Sequence, residues 1–75
     1  MSTVKQTLAN NQLLNIHKVI EYTTLSRAMI YQLLNPKSEH YDATFPKQIQ
    51  LTTGRVAWIA EEVSEWIESR IEQRA

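Results

Sequence analysis

The chain has 75 residues with eight basic and eight acidic side chains, one glycine and no cysteine. A chain of this length forms one domain, because it buries only about 60% of the surface that it exposes when unfolded. Without cysteine it has neither disulfides nor a cysteine-ligated zinc site. No apolar run approaches the roughly 18 residues of a membrane span, and the N-terminus lacks the basic region and apolar block typical of a signal peptide. We therefore expect a soluble cytoplasmic protein with no membrane partner.

The zero net charge conceals a division along the chain. Residues 1–58 carry six basic and three acidic side chains, whereas residues 59–75 carry two basic and five acidic ones. The first part therefore has a balance of +3 and the second of −3. A basic body with an acidic last helix can still present one positive face to a polyanion.

Polar residues with isolated apolar ones and no sustained period predict a flexible N-terminal arm over residues 1–12. A folded domain is predicted over residues 13–75. It opens with an extended segment made by Leu13, Leu14 and Ile16. A first helix follows, and the side chains that it offers to the core are Val19, Ile20 and Tyr22. Its β-branched residues form helix weakly, so tertiary packing must hold it.

A second short helix is predicted after a turn of four residues, 23–26. Ser26 is a good N-cap, because its hydroxyl accepts from the backbone N–H two or three residues on. At about 100° per residue, the apolar face of this helix consists of Met29, Ile30, Leu33 and Leu34. The opposite face has no acid and consists of Arg27, Ala28, Tyr31, Gln32 and Asn35. Pro36 ends the helix, since it lacks a backbone N–H and disfavours the helical conformation of the residue before it.

A loop bounded by two prolines, residues 36–46, leads to a β-hairpin, and Tyr41 and Phe45 are the predicted points at which the loop is fixed to the core. Residues 47–51 alternate polar and apolar side chains, and residues 55–58 begin the return strand. Gly54, the only glycine, stands between them, where a tight turn most needs a positive φ.

The last helix begins with glutamates, which favour the helix dipole at that end. The side chains at helical spacing along it are Val63, Trp66, Ile67, Arg70 and Ile71. Trp58, Trp66 and Ile71 can serve either the core or a contact with a second chain, and we favour the core. The order is helix, turn, helix, loop, hairpin, helix, so the predicted fold class is mainly α with a small β-hairpin.

Two short helices joined by a tight turn have the dimensions of a helix-turn-helix, whose second helix enters the major groove of DNA, and the hairpin then forms a wing. Arg27 can bond guanine O6 and N7, and Gln32 or Asn35 can pair with adenine N6 and N7. Ala28 is small enough to let the helix approach the bases, and the Tyr31 hydroxyl suits a phosphate or a base edge. The alternative is the solvated face of an ordinary amphipathic helix, but such a face usually carries acids and rarely exposes an aromatic side chain.

Basic and hydroxyl side chains outside the second helix are candidates for flanking contacts. Thr53 and Arg55 at the hairpin tip can reach a phosphate or the minor groove. The candidate phosphate ligands near the helices and the start of the hairpin are Lys18, Lys37 and Lys47. For each of these lysines the alternative is a solubilising role at the surface.

Catalysis and metal binding find no support in the sequence. His17 and His40 are far apart, and neither is accompanied by a cysteine or by an acid cluster with metal-ligand spacing. One glycine cannot form a phosphate-binding loop. We therefore expect no enzyme activity, no cofactor and no metal. A function of another class is a protein-interaction module, in which the last helix docks a partner through Glu61, Glu65, Glu68 and Glu72.

The segments LSRAMIYQLL, FPKQIQL and GRVAWIAEEVSEWIESRI follow one another in the chain. In this order and spacing they resemble the AlpA family of small phage and prophage regulators, related to MerR-type winged helices, over residues 13–73. The resemblance implies an excisionase-like winged helix-turn-helix that binds double-stranded DNA in the bacterial nucleoid. It further implies regulation of prophage transcription, a role as a recombination directionality factor (excisionase), or both.

Carried over by position, the family's base-facing set becomes Ser26, Arg27, Ala28, Tyr31 and Gln32, and its wing tip becomes Thr53, Gly54 and Arg55. Expected partners besides DNA are an integrase or other recombinase, RNA polymerase, and further copies of the chain bound cooperatively on DNA. The chain departs from the family pattern at Ile59 and Ala60, where a polar or basic residue and a capping residue usually stand. We therefore expect a poorly capped start of the last helix. These residues decide neither the operator sequence nor the choice between activation, repression and excision.

Overall fold

The helix-turn-helix and the hairpin predicted from the sequence are both present in the computed structural model, which describes residues 12–74. The elements in this range are β1 (Leu13–Leu14), α1 (Ile16–Thr23), α2 (Arg27–Leu34), β2 (Ile49–Thr52), β3 (Arg55–Ile59) and α3 (Ala60–Gln73). The predicted fold class, a mainly helical winged helix-turn-helix, is thereby confirmed. The predicted arm, apart from Gln12, lies outside the described residues.

The sheet has a third strand that the hairpin pattern did not predict. Strand β3 lies between β1 and β2 and pairs with both of them in antiparallel fashion. Leu14 lies opposite Trp58 and Ile49 opposite Ala57. The start of the domain is therefore tied to the strand that leads into α3.

Helix α1 includes Ile16, which the sequence had placed in the extended segment. The Asn15 side chain accepts from the backbone N–H of Lys18 at 2.9 Å and caps the helix at this point. Such a cap satisfies one of the backbone donors that the first helical turn leaves without a partner. Val19 is fully buried, as predicted, so packing supplies the stability that this β-branched helix lacks.

The turn between α1 and α2 comprises residues 24–26 and is one residue shorter than predicted, because Thr23 remains in α1. Thr24 has φ 62° and ψ 13°, in the left-handed region, and its N–H donates to the Ile20 carbonyl at 2.7 Å. The Thr23 hydroxyl donates to the Val19 carbonyl at 2.8 Å. A β-branched residue rarely adopts the left-handed conformation, so Thr24 stores backbone strain in this turn.

Helix α2 is capped and stopped by the residues predicted for those roles. The Ser26 hydroxyl accepts from the backbone N–H of Met29 at 3.1 Å. Ile30 and Leu33 are buried on the apolar face. Asn35, the residue before the proline, is extended with φ −93° and ψ 112°, so the helix ends where the proline requires.

The core lies between the three described helices and the sheet. Its buried side chains are Leu14, Val19, Ile30, Leu33, Phe45, Trp58 and Val63. Trp66 and Ile67 of α3 pack against it. Phe45 meets the Trp66 ring edge-on, with the ring centroids 5.0 Å apart, so the prediction that Phe45 fixes the loop is confirmed.

Three side chains that the sequence assigned to the core are exposed, so these assignments were wrong. Tyr22, Tyr41 and Ile71 keep 54%, 41% and 44% of their surface. Tyrosine tolerates this exposure because its hydroxyl remains hydrated. The packing of α3 against the core ends at Ile67, and Ile71 lies one turn beyond it with no core residue to cover it within the described range.

The hairpin turn does not use the left-handed glycine that its sequence suggests, and this expectation was wrong. Gly54 has no positive φ. Thr52 pairs with Arg55, and the register shifts between Gln50 and Thr52. The Gln50 side-chain amide donates to the carbonyls of Thr52 at 2.7 Å and of Thr53 at 3.2 Å. The irregular register and these two bonds close the turn without a left-handed residue.

Helix α3 begins directly after β3 without a side-chain cap at Ile59, as expected. The Ala60 N–H donates instead to the Gln12 carbonyl at 2.8 Å, so the residue before β1 satisfies one orphan donor of the helix. Glu61 and Glu62 lie in the first turn of α3, where they favour the helix dipole.

Candidate nucleic-acid interface

The outward side of α2 is exposed along its whole length. We call this surface the α2 face; its members are Ser26, Arg27, Ala28, Tyr31, Gln32 and Asn35, all of them exposed. Tyr31 keeps 40% of its surface in contact with solvent. Tyr22 and Tyr41 are at least as exposed, so the α2 face is distinguished by its lack of acids rather than by an exposed aromatic ring.

Arg27 is the first residue of α2 and is exposed. No ion pair among residues 12–74 involves its guanidinium. A cation in the first turn of a helix opposes the helix dipole, and α2 has no acid in its first turn to compensate. The charge of Arg27 therefore does not stabilise α2. It is placed to bind a ligand that carries negative charge or hydrogen-bond acceptors.

A cleft of about 460 Å³ joins the α2 face to the loop and to the start of the hairpin. Tyr31 and Asn35 line it from one side, and Lys47 and Gln48 line it from the chain segment before β2. Tyr41 and Asp42 from the loop also line it. The structure therefore brings Lys47 next to the α2 face, although the two are separated by a loop in the sequence.

Tyr41 and Gln48 are cleft residues that the sequence reasoning missed. Tyr41 had been assigned to the core, and Gln48 had been treated only as part of an alternating strand. The sequence feature that indicates their position is the pair of prolines at residues 36 and 46. They delimit a short loop, which has to fold back beside α2.

The two amide side chains of the α2 face are partly occupied by the turn that follows. The Asn35 Oδ1 accepts from the Lys37 backbone N–H at 2.9 Å, and the Gln32 Oε1 accepts from the Ser38 hydroxyl at 3.4 Å. Pairing with adenine needs both the amide oxygen and the amide NH2. Gln32 makes the longer bond and lies within α2, so it is better suited to this pairing than Asn35.

Basic side chains surround the α2 face without forming a closed ion-pair network. Lys18 lies 3.4 Å from Glu21, but both side chains are more than half exposed, and such a pair contributes little to stability. Within the described range no ion pair engages Lys37, Lys47 or Arg55. These side chains remain available to an anionic ligand.

The structure does not bring every predicted site residue into the cleft. Thr53 and Arg55 are exposed at the tip of the hairpin, and Lys18 lies on α1. None of the three lines the cleft. Of the predicted site residues only Tyr31, Asn35 and Lys47 line the cleft. The remaining ones outside it are Ser26, Arg27, Ala28, Gln32 and Lys37.

One acid of the loop, Asp42, is held by four hydrogen bonds. Its Oδ1 accepts from the Thr44 hydroxyl at 2.6 Å and from the Thr44 N–H at 2.8 Å. Its Oδ2 accepts from the Trp66 indole N–H at 3.2 Å and from the Arg70 guanidinium, which also forms an ion pair with it. The Thr44 hydroxyl bond is the largest cause that lowers the pKa of Asp42 to about 2, with the Trp66 and Arg70 bonds adding to it against the effect of burial.

Within residues 12–74 no group of three or more histidine, cysteine, aspartate or glutamate side chains is arranged to hold a metal ion. His40 lies 3.8 Å from Glu39 in the exposed loop, and His17 is exposed on α1. No helix in the described part of the chain is both long and apolar enough to cross a membrane.

A helix-turn-helix with an exposed second helix, followed by an antiparallel hairpin and a third helix, defines the winged helix-turn-helix class. Within that class the chain belongs to the AlpA family. The family described as "Prophage CP4-57 regulatory protein (AlpA)" matches residues 12–71. The family resemblance seen in the sequence is thereby confirmed.

Two relatives cover most of the chain. It is 48% identical over 59 residues to the DNA-binding transcriptional activator AlpA of Escherichia coli (strain K12), which covers 79% of this chain and 84% of that protein. It is 34% identical over 67 residues to the uncharacterized protein ORF88 of Enterobacteria phage P4, which covers 89% of this chain and 69% of that protein. No solved structure matches the chain with significance.

Proposed function

We propose that this protein is a sequence-specific DNA-binding regulator that places α2 in the major groove. The observation that carries the proposal is the α2 face, an exposed and acid-free surface whose first turn holds an arginine that forms no ion pair within residues 12–74. Membership of a family of prophage regulators supports it, as does the similarity to a protein named a DNA-binding transcriptional activator.

In the proposed complex, Arg27 bonds the O6 and N7 atoms of a guanine, and Gln32 reads an adenine. Ala28 faces the bases in this arrangement, and a larger side chain at this position would hold α2 away from them. Tyr31 and Lys47 meet a phosphate at the edge of the groove, because they line one cleft beside the α2 face.

The hairpin acts as the wing in this proposal. Arg55 and Thr53 at its tip contact the flanking backbone or the adjacent minor groove. Lys18 and Lys37 bind phosphates on either side of α2. Because phosphate contacts carry no sequence information, loss of any one of them weakens binding to all duplexes alike.

Regulation of prophage transcription is the first role that we propose, and control of excision is the second. An activator, a repressor and an excisionase can share one DNA-reading surface and differ in where their sites lie. Footprints over a promoter would support transcription control, whereas footprints over an attachment site beside an integrase gene would support excision control. Cooperative binding of further copies would extend the footprint beyond the one site that a domain of this size covers.

The central test uses duplexes selected from a random-sequence pool with the wild-type protein. Replacing Arg27→Ala should lower affinity for the selected duplex by about ten- to a hundredfold, as expected for one bidentate base contact. Arg74→Ala is the matched control, since it removes the same charge from an exposed position at the end of α3. Fluorescence anisotropy at fixed salt measures both variants against the selected duplex and a scrambled one.

Equal losses for the two arginine variants would contradict the proposal, because they would show that only net charge matters. A pool that yields no enriched sequence would contradict it more directly. Retained far-UV circular dichroism in both variants is needed to show that the fold is intact.

A second candidate function rests on the acidic side of α3. Its glutamates are exposed, and within residues 12–74 none of them takes part in an ion pair; they are Glu61, Glu62, Glu65, Glu68 and Glu72. We propose that this helix docks a recombinase or RNA polymerase while α2 holds DNA. Reversing Glu61, Glu65, Glu68 and Glu72 to lysine should abolish capture of purified integrase or polymerase in a pull-down, whereas Arg27→Ala should leave it unchanged.

A further inference from the structure

Asp42 connects the end of the recognition helix to α3. Its backbone N–H donates to the Leu33 carbonyl at 3.0 Å. Leu33 lies in the last turn of α2, where backbone carbonyls have no partner within the helix. The side chain of Asp42 meanwhile accepts from Trp66 and Arg70 of α3. One residue thus satisfies an orphan carbonyl of α2 and binds two side chains of another helix.

The indole of Trp66 is held on three sides at this junction. Asp42 accepts from its N–H, the Phe45 ring meets it edge-on, and the Arg70 guanidinium lies 4.9 Å from its ring centroid. The Asp42 side chain is only 15% exposed, whereas that of Arg70 is 48% exposed. The junction is therefore closed on the Asp42 side and leaves little freedom to the loop that follows α2.

A junction of this kind bears on how α2 meets DNA. The helix has eight residues, which is too short for it to be stable on its own, so its neighbours set its orientation. Base contacts such as the one proposed for Arg27 depend on the direction of two donors at once. A small rotation of α2 therefore weakens specific contacts more than it weakens contacts with phosphates.

We propose that Asp42 is a positioning residue for DNA recognition, which ties the C-terminal end of α2 to Trp66 and Arg70 of α3 and so sets the angle at which the α2 face meets the bases. This role rests on the proposed DNA-binding function. Asp42 also lines the cleft beside the α2 face, where its carboxylate is held by Thr44, Trp66 and Arg70, so the proposed role is carried by these bonds and not by a contact with DNA.

The test compares two substitutions that each remove one negative charge from the same loop. Asp42→Asn keeps the size of the side chain but removes the ion pair with Arg70 and one acceptor. Glu39→Gln is the matched control, since its side chain is 87% exposed and lies 3.8 Å from His40. Thr44→Val adds a variant without charge change that removes only the 2.6 Å hydroxyl bond. Affinities are measured with the duplex selected on the wild-type protein and with its scrambled version.

Asp42→Asn should lower affinity for the selected duplex by about tenfold, which is the loss of part of one base contact. Its affinity for the scrambled duplex should stay the same or rise, because removing a negative charge favours contact with phosphates. Glu39→Gln should leave the selected duplex unaffected or bind it slightly more tightly. Thr44→Val should reduce specific affinity by a smaller factor than Asp42→Asn.

Loss of stability alone would lower both affinities together, so the opposite response of the two duplexes separates positioning from unfolding. Residual dipolar couplings of the α2 amides in the free protein give a second readout, and Asp42→Asn should shift them as a block. If the wild type discriminates the two duplexes, two results for Asp42→Asn would overturn the positioning role. One is unchanged residual dipolar couplings, and the other is unchanged affinity for the selected duplex. A wild type that binds both duplexes equally would overturn the proposed function, and this role with it.

Discussion

Two turns of this protein respond to glycine in opposite ways, and the backbone angles predict both responses. Thr24 has φ 62° and lies in the left-handed region, whereas Gly54 has no positive φ. A Cβ atom added at Gly54 would meet nothing within 4 Å. We therefore expect Thr24→Gly and Gly54→Ala each to stabilise the fold, although one substitution introduces a glycine and the other removes one.

The magnitudes follow from the strain and the entropy at each position. A left-handed residue other than glycine costs about 1–2 kcal/mol, and the greater freedom of glycine in the unfolded chain offsets about 0.4–1 kcal/mol of that gain. Thr24→Gly should therefore raise the free energy of unfolding by about 0.5–1 kcal/mol. Gly54→Ala restricts the unfolded chain without native strain and should raise it by about 0.4–1 kcal/mol.

Urea unfolding followed by tryptophan fluorescence measures both changes, since Trp58 is fully buried. The midpoint should rise at unchanged slope, which identifies a change in stability rather than in the unfolded state's compactness. Thr24→Ala is the control, because alanine at that position retains a Cβ and most of the strain. A lower midpoint for Gly54→Ala would refute the reasoning, since it would show that the hairpin turn requires a left-handed glycine after all.

Three further predictions follow from single contacts. Ser26→Ala should lower the free energy of unfolding by about 1 kcal/mol, measured by urea titration, because it removes the cap bond to the Met29 N–H, and Ser26→Asp should retain most of it. Phe45→Ala should lower it by about 3–5 kcal/mol, enough to unfold much of so small a domain at 37 °C by circular dichroism, whereas Phe45→Leu should be milder. The pKa of Asp42 is lowered to about 2, so its contribution is fully present above about pH 4 and is lost as the pH falls towards 2. The free energies of unfolding of wild type and Asp42→Asn, measured by acid titration, should therefore differ by a constant amount from pH 7 to pH 5. Below pH 5 the difference should shrink by up to about 2 kcal/mol. A difference that stays constant down to pH 2 would contradict this assignment.

The parts of the fold that sequence could predict are those with local causes. The Ser26 cap, the apolar stripe of α2 and the stop before Pro36 depend on residues within two helical turns of one another. The α2 face follows from the same period. Each of these features therefore appears in the sequence as a pattern of a few neighbouring residues.

The parts that could not be predicted depend on distant segments. Strand β1 forms because Leu14 pairs with Trp58 in β3. The loop is held because Asp42 accepts a hydrogen bond from Arg70, 28 residues away. At Gly54 the local signal was present but misleading, since the Gln50 amide and the irregular register close the turn in another way. Residue type alone does not reveal which of two solutions a turn adopts.

The distribution of charge explains how a chain without net charge can approach DNA. Three acids of the described range precede α3. Glu21 is paired with Lys18, and Asp42 is paired with Arg70. Within that range Glu39 lies near His40 but forms no ion pair with a lysine or an arginine. The phosphate ligands proposed above are four basic side chains, Lys18, Lys37, Lys47 and Arg55, and all of them are exposed. If each neutralises one phosphate, the slope of log affinity against log salt is only about −4, which is modest for duplex binding. A surface with so few phosphate contacts gains little from non-specific attraction, so in the proposed complex the preference for one site comes from the few base contacts of α2. In our proposal Asp42 sets the orientation of that helix. This orientation then matters more than it would in a strongly basic protein.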